Sequence, residues 1–158
     1  MKKILITVAS FLMLLACQPK PSQGEQLLST LNEQNLSLVV LNNDSISNHN
    51  APRVDDLFYL SQNEPERLKG AVVADKMVGN AAATLLAACG VSEVHTNVIT
   101  THAKQILKAA GVKVVAAREV DMIYNRDHSD QCPMDKALND ANTVEEGMAI
   151  LKEKFYNE

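Results

Sequence analysis

Six side chains carry most of the chemistry this sequence could support: Asp75, Lys76, Thr100, Asn125, Arg126 and Cys132. Pro133 suits the first position of a short helix over residues 133–138, which places Cys132 at its N-cap. A thiol there has its thiolate favoured by the helix dipole and by a cation such as Arg126, the setting of a reactive cysteine. Asp127, Asp130 and Asp135 oppose this by surrounding it with negative charge. The alternative is a small buried cysteine at a turn, with Asn125 bonding the backbone and Arg126 in a surface ion pair. Asp75 and Cys132 are the candidate catalytic groups, and Lys76, Thr100, Asn125 and Arg126 the candidate ligand contacts. Asp75 and Thr100 also read as plain helix N-caps, and Lys76 as a solvated first-turn residue. His49, His95, His102 and His128 lack metal-ligand spacing and read as surface or edge residues, so neither a metal site nor a cofactor is expected.

These residues need elements to position them, and the chain alternates helix and strand. Residues 71–74 form an apolar run without alternation, as in a parallel strand covered on both faces. Asp75 then reads as the N-cap of a helix over 76–89, closed by Gly90. The grammar repeats with a strand over 91–99, Thr100 or Thr101 as cap, a helix over 102–110, Gly111 as the stop, and a third strand over 112–117. Such a βαβαβ run implies a parallel sheet core. Ligands bind outside the carboxyl ends of such strands, where helix N-termini present free N–H groups. Asp75 and Thr100 are therefore expected at one edge of the sheet, with Lys76 and Arg126 ready to meet a polar or anionic metabolite.

Upstream, Leu27, Leu28 and Leu31 share a face of a helix over 24–35, and residues 36–41 and 45–47 form a hairpin around a turn at 42–44. Val54, Leu57 and Phe58 mark a short helix ending before Glu64-Pro65. The helix after Asp75 is alanine-rich and apolar nearly all round, hence buried, so a large residue at Ala82 should overpack it. Downstream, Thr143-Val144-Glu145-Glu146 has capping-box spacing, followed by a stripe of Val144, Met148, Leu151 and Phe155. Cys89 ends the helix that Asp75 begins, about 14 residues and ~20 Å away, so no disulfide to Cys132 is expected if Cys132 joins Asp75.

The first residues read as an address. Lys2 and Lys3 precede an apolar run over 4–16, the pattern of a secretory signal and too short to span a bilayer, which takes ~20 residues. Leu14-Leu15-Ala16-Cys17 resembles the bacterial lipobox, which implies cleavage before Cys17 and its lipidation. The expected division is a signal peptide over 1–16, a lipidated tether over 17–24 and one domain over 25–158. The cleaved chain keeps 13 Lys and Arg against 19 Asp and Glu, a formal charge of −6. The expected location is the bacterial cell envelope, with the protein lipid-anchored to a membrane. An acidic chain with 4% aromatic residues excludes a nucleic-acid partner, and nothing in the sequence names a protein partner.

Gly70-Ala71-Val72-Val73-Ala74-Asp75-Lys76-Met77-Val78-Gly79-Asn80-Ala81-Ala82-Ala83, then Val98-Ile99-Thr100, then Asn125-Arg126 and Cys132-Pro133, resemble a family of uncharacterised bacterial and archaeal proteins, a domain of unknown function. The resemblance covers residues 36–151 and implies a cytidine-deaminase-like fold, a three-layer α/β sheet with an N-terminal β-hairpin and a parallel βαβαβ core. Asn80 departs from the family's basic residue, which weakens any phosphate role there, and Asp135 stands near its acidic position. Zinc-dependent deamination needs His-x-Glu or Cys-x-Glu followed by Pro-Cys-x-x-Cys. The chain has none of these, so no such activity is expected. Two functions remain: a small-molecule site, catalytic or not, and a catalytically silent, membrane-anchored interaction domain on the same scaffold.

Overall fold

The computed structural model describes residues 20–157, so the signal segment and Cys17 lie outside the described residues. Ser22 opens α1 (Gln23–Glu33) with a capping box, its hydroxyl accepting from Glu25 N while the Glu25 carboxylate accepts from Ser22 N. β1 (Leu38–Asn42) and β2 (Ser45–His49) form the expected hairpin. Its loop is Asn43-Asp44, both at positive φ, the geometry that matches strand twist in two-residue hairpins. α2 (Asp55–Asn63) follows and ends at the Glu64-Pro65 break.

The remaining strands are β3 (Val72–Val78), β4 (Glu93–Thr100) and β5 (Lys113–Val120), joined by α3 (Asn80–Ala88) and α4 (Thr101–Ala109). The sheet order is β2-β1-β3-β4-β5, with β3, β4 and β5 parallel, β1 antiparallel to β3, and β2 antiparallel to β1. Gly90 and Gly111 end α3 and α4 at φ of 67° and 77°. The chain closes with a one-turn α5 (Pro133–Lys136) and α6 (Val144–Asn157).

Two apolar clusters make three layers. Leu27 and Leu31 of α1 cover one face of the sheet on Val39 and Ala74. The other face carries Val40, Val73, Val94 and Ile99 under Leu57, Leu85, Leu86, Leu107 and Leu151 from the remaining helices. The stripe on α6 adds a stacked pair, Phe155 on Phe58, with ring centroids 3.8 Å apart. Thr143 Oγ1 caps α6 by accepting from Glu146 N at 3.1 Å. The Glu146 carboxylate returns to Asn142 N rather than to Thr143 N, so the expected box closes one residue early.

The expected boundary at Asp75 is corrected. Asp75 does not cap a helix: it lies inside β3, opposite Leu38 of β1 and Thr96 of β4, and the strand continues to Val78. β1 pairs with it as far as Asp75 and β4 continues the pairing through Val78, which keeps Asp75-Lys76-Met77-Val78 extended, and the helix begins only after Gly79. Thr100 is the cap of α4, its hydroxyl accepting from Ala103 N at 3.1 Å. The reading of all four histidines as surface or edge residues fails at His95, which is 2% exposed. Its ring lies directly beneath Gly24 of α1, and its Nε2 is 2.5 Å from Glu93 Oε1.

Candidate ligand site

At the carboxyl end of β3 the sheet opens into a cavity of about 1070 Å³, walled by the segment before α2, the start of α3, and the stretch between β5 and α5. It brings together five of the six residues singled out from the sequence: Asp75, Lys76, Asn125, Arg126 and Cys132. Thr100 is not among its walls. That hydroxyl is buried, donating to Asn80 Oδ1 at 3.3 Å while it caps α4.

Asp75 is the floor. It shares the α3-bearing face of the sheet with Val73, is 8% exposed, and accepts from Met77 N through Oδ1 at 2.9 Å. Oδ2 has no hydrogen-bond partner among the described residues. Burial disfavours the charged form and pushes its carboxyl up to about 7, against the opposing pull of the Met77 bond.

Asp135 lines the cavity but belongs to the scaffold. Its Oδ1 accepts from Ala81 N at 3.1 Å, so it caps α3 from 54 residues downstream. A Cβ on Gly79 would lie 2.0 Å from Asp135 Oδ2, so only glycine lets the carboxylate reach the helix start. Burial raises the Asp135 pKa, and the N–H groups of Ala81 and Asn80 pull it back. Asn80, where the sequence departs from the family pattern, is buried between Asp135 O and Asn139 Oδ1, each 3.2 Å from its Nδ2. A neutral amide suits that pair of acceptors together with the Thr100 hydroxyl.

The remaining candidates divide in the same way. Asn125 Oδ1 accepts from Ser129 N at 3.0 Å and Asp130 N at 3.3 Å, so it folds its own loop. Asp127 bonds Ser129 N and Oγ, which hold its carboxyl below the ordinary range. Lys76 Nζ donates to Asn35 Oδ1 at 2.7 Å. Arg126 is exposed, with no hydrogen bond or ion pair among the described residues. Cys132 takes the expected N-cap place before α5 without a side-chain capping bond, and α5 is a single turn, so the dipole argument for a reactive thiolate loses most of its force. Cys132 and Cys89 are both free thiols, but the 14-residue helical spacing expected between Asp75 and Cys89 does not hold, because Asp75 lies in β3 and α3 begins only at Asn80.

Sequence reasoning missed three features of the site. The sequence marks Asp135 as a nearby charge close to the family's acidic position but not as a cap, although Gly79 before an uncapped helix start signals a cap supplied from elsewhere. Met77 and Tyr124, which stand at the mouth 46% and 53% exposed, had no signal beyond their hydrophobicity. Among the described residues no group of three or more His, Cys, Asp or Glu is placed to hold a metal ion.

The model of DUF1893, a domain of unknown function, matches residues 26–155. The chain belongs to the DUF1893 family. Its fold is similar to the crystal structure of a DUF1893 family protein from Thermotoga maritima, with a TM-score of 0.78 and 24% identity, covering 87% of this chain and 93% of that one. No curated protein matches it. The DUF1893 match extends beyond the 36–151 stretch of motifs, into α1, which covers one face of the sheet, and further along α6, which packs on α3. Gly79, Asp135 and the cavity between them therefore all lie within the family domain.

Proposed function

We propose that this DUF1893 protein binds a small polar or anionic metabolite in the cavity at the end of β3. The observation that carries this is Asp75, a buried carboxyl on the cavity floor whose Oδ2 has no hydrogen-bond partner among the described residues, with Arg126, likewise unpaired among them, at the rim. Burying a carboxyl without a full set of partners is costly, and a ligand that supplies the missing partner recovers part of that cost. Because Asp135, Asn125 and Thr100 use their polar atoms on the scaffold, Asp75, Lys76, Arg126 and Cys132 are the groups left for a ligand. Cys132 and Asp75 remain the candidates for any transformation, which we propose is not zinc-dependent deamination. A thermal-shift screen of nucleosides, nucleotides and related heterocycles tests the reading. Stabilising hits should lose their effect in Lys76→Gln and Arg126→Gln, and hits indifferent to both changes would count against it.

The scaffold is, in this proposal, cytidine-deaminase-like, which the 2-1-3-4-5 strand order, the antiparallel hairpin and the three layers support. We place the protein in the bacterial cell envelope, lipid-anchored through Cys17 by a tether that leads into the capped start of α1. Among the described residues no helix is long and apolar enough to cross a membrane. Palmitate labelling of the wild type, absent in Cys17→Ala, is the expected result. The second reading, a catalytically silent interaction domain, draws on the exposed Met77 and Tyr124 at the cavity mouth.

A further inference from the structure

The walls of the cavity sort its charges by depth. Asp75 sits three residues inside the end of β3, with Ala81 and Ala82 of α3 beside it as apolar wall. Of the other carboxylates of the cavity, Asp135 holds the start of α3 through Oδ1 and Asp127 holds its own turn through Oδ1. Arg126, which makes no hydrogen bond or ion pair among the described residues, stands at the exposed rim. The cavity thus has Asp75 Oδ2 unbonded on its floor, Ala81 and Ala82 along one side, and Arg126 beside Asp127 at its mouth.

We propose that the cavity takes a dipolar ligand, with a cationic nitrogen donating to Oδ2 of Asp75 and an anionic group facing Arg126. This rests on the ligand-binding reading above and deepens it by naming the ligand class. A neutral donor can fill the Asp75 acceptor but leaves the carboxylate's charge uncompensated, and an anionic group there places like charges together, whereas an ammonium, amidinium or guanidinium supplies both the donor and the opposite charge in one charge-assisted bond. The charged and titratable groups around Asp75 are Lys76 on its own strand, Arg53 before α2, Tyr124, Arg126 and Asp127 after β5, and Cys132 and Asp135 at α5. β1, β4 and α3 present no charge to it. Its protonation is governed by burial, which keeps the carboxyl near neutrality at about 7. A bound cation favours the carboxylate, so binding releases a proton from the fraction of molecules that carry one. Affinity for a fixed cation therefore rises with pH through this range and levels off above it.

The test uses linear ω-guanidino carboxylates as probes, compared with ω-ureido carboxylates of equal length and with simple alkyl carboxylates. Calorimetry at pH 7 in two buffers of different ionisation enthalpy reads the proton count. The expected result is a preference of tenfold or more for the guanidino probe at pH 8, shrinking at pH 5.5, with release of about half a proton at pH 7. Asp75→Asn should abolish the preference and the proton release, and Arg126→Gln should weaken guanidino and ureido carboxylates alike. Equal, Arg126-dependent binding of all three probe types overturns the dipolar assignment and leaves the ligand-binding reading standing. Failure of every probe to bind also overturns the dipolar assignment, and the ligand-binding reading falls with it only if the nucleoside and nucleotide screen is equally without hits.

Discussion

Replacing Asp75 by Asn should stabilise the protein at neutral and alkaline pH. The folded-state carboxyl sits at about 7, against an ordinary 3.8. Because the folded value lies above the unfolded one, folding takes up a proton at this site. The stability this contributes is fully present below 3.8 and is lost as pH rises through about 7. The full difference corresponds to about 4 kcal/mol, at 1.36 kcal/mol for each tenfold change in proton affinity. Water reaching Asp75 from the open cavity reduces this, and a gain of about 1–3 kcal/mol at pH 8 is expected. An amide keeps the one hydrogen bond in place, since its oxygen can accept from Met77 N as Oδ1 does. Urea denaturation of both proteins at several pH values from 4 to 8 provides the assay. The gap should be near zero at pH 4, widen to about pH 7 and then stay level, and at pH 8 the thermal midpoint should rise by about 3 °C per kcal/mol. A gap that does not change with pH, or an Asn variant less stable at pH 8, would refute the reasoning that burial governs this carboxyl.

Other outcomes follow from the same geometry. Gly79→Ala should cost about 2–4 kcal/mol in denaturant titrations, because its Cβ would overlap Asp135 Oδ2. Asp135→Ala should cost about 1–2 kcal/mol through the lost cap of α3, and the double variant should fall short of the sum, since both changes break one contact. Ala82→Leu should cost about 1–3 kcal/mol by overpacking a site that is 1% exposed, with a lowered thermal midpoint as the readout. Alkylation under denaturing, non-reducing conditions, read by peptide mapping, should modify both Cys89 and Cys132. A recovered disulfide between them would contradict the placement of Cys132 at the cavity.

Much of the scaffold was legible because its signals are local. The hairpin declares itself in Asn43-Asp44 between two strands, and the stops of α3 and α4 in Gly90 and Gly111. The buried character of α3 shows in its run of alanines. The site was legible in part, since five of its six candidate residues do meet in one cavity. Asp75 was found by its position between a strand and a helix, yet its role was misread. An aspartate before a helix looks the same whether it caps that helix or remains in the strand, and the backbone partners that decide this are Leu38 and Thr96. Thr100 was misplaced for the complementary reason: its hydroxyl turns inward to Asn80, a contact no spacing rule contains.

The sequence by itself determined the order of strands and helices, the parallel core and the neighbourhood in which a ligand would meet the sheet. These follow from hydrophobic periodicity and turn residues, which act over a few positions of chain. Tertiary structure alone decided which polar atoms are spoken for. Asp135 crosses 54 residues to cap α3 and Asn125 closes its own loop, while Asp75 is buried with an oxygen left open. The reason is desolvation: a carboxyl's charge depends on what surrounds it in space, and those surroundings are assembled from segments far apart in the chain.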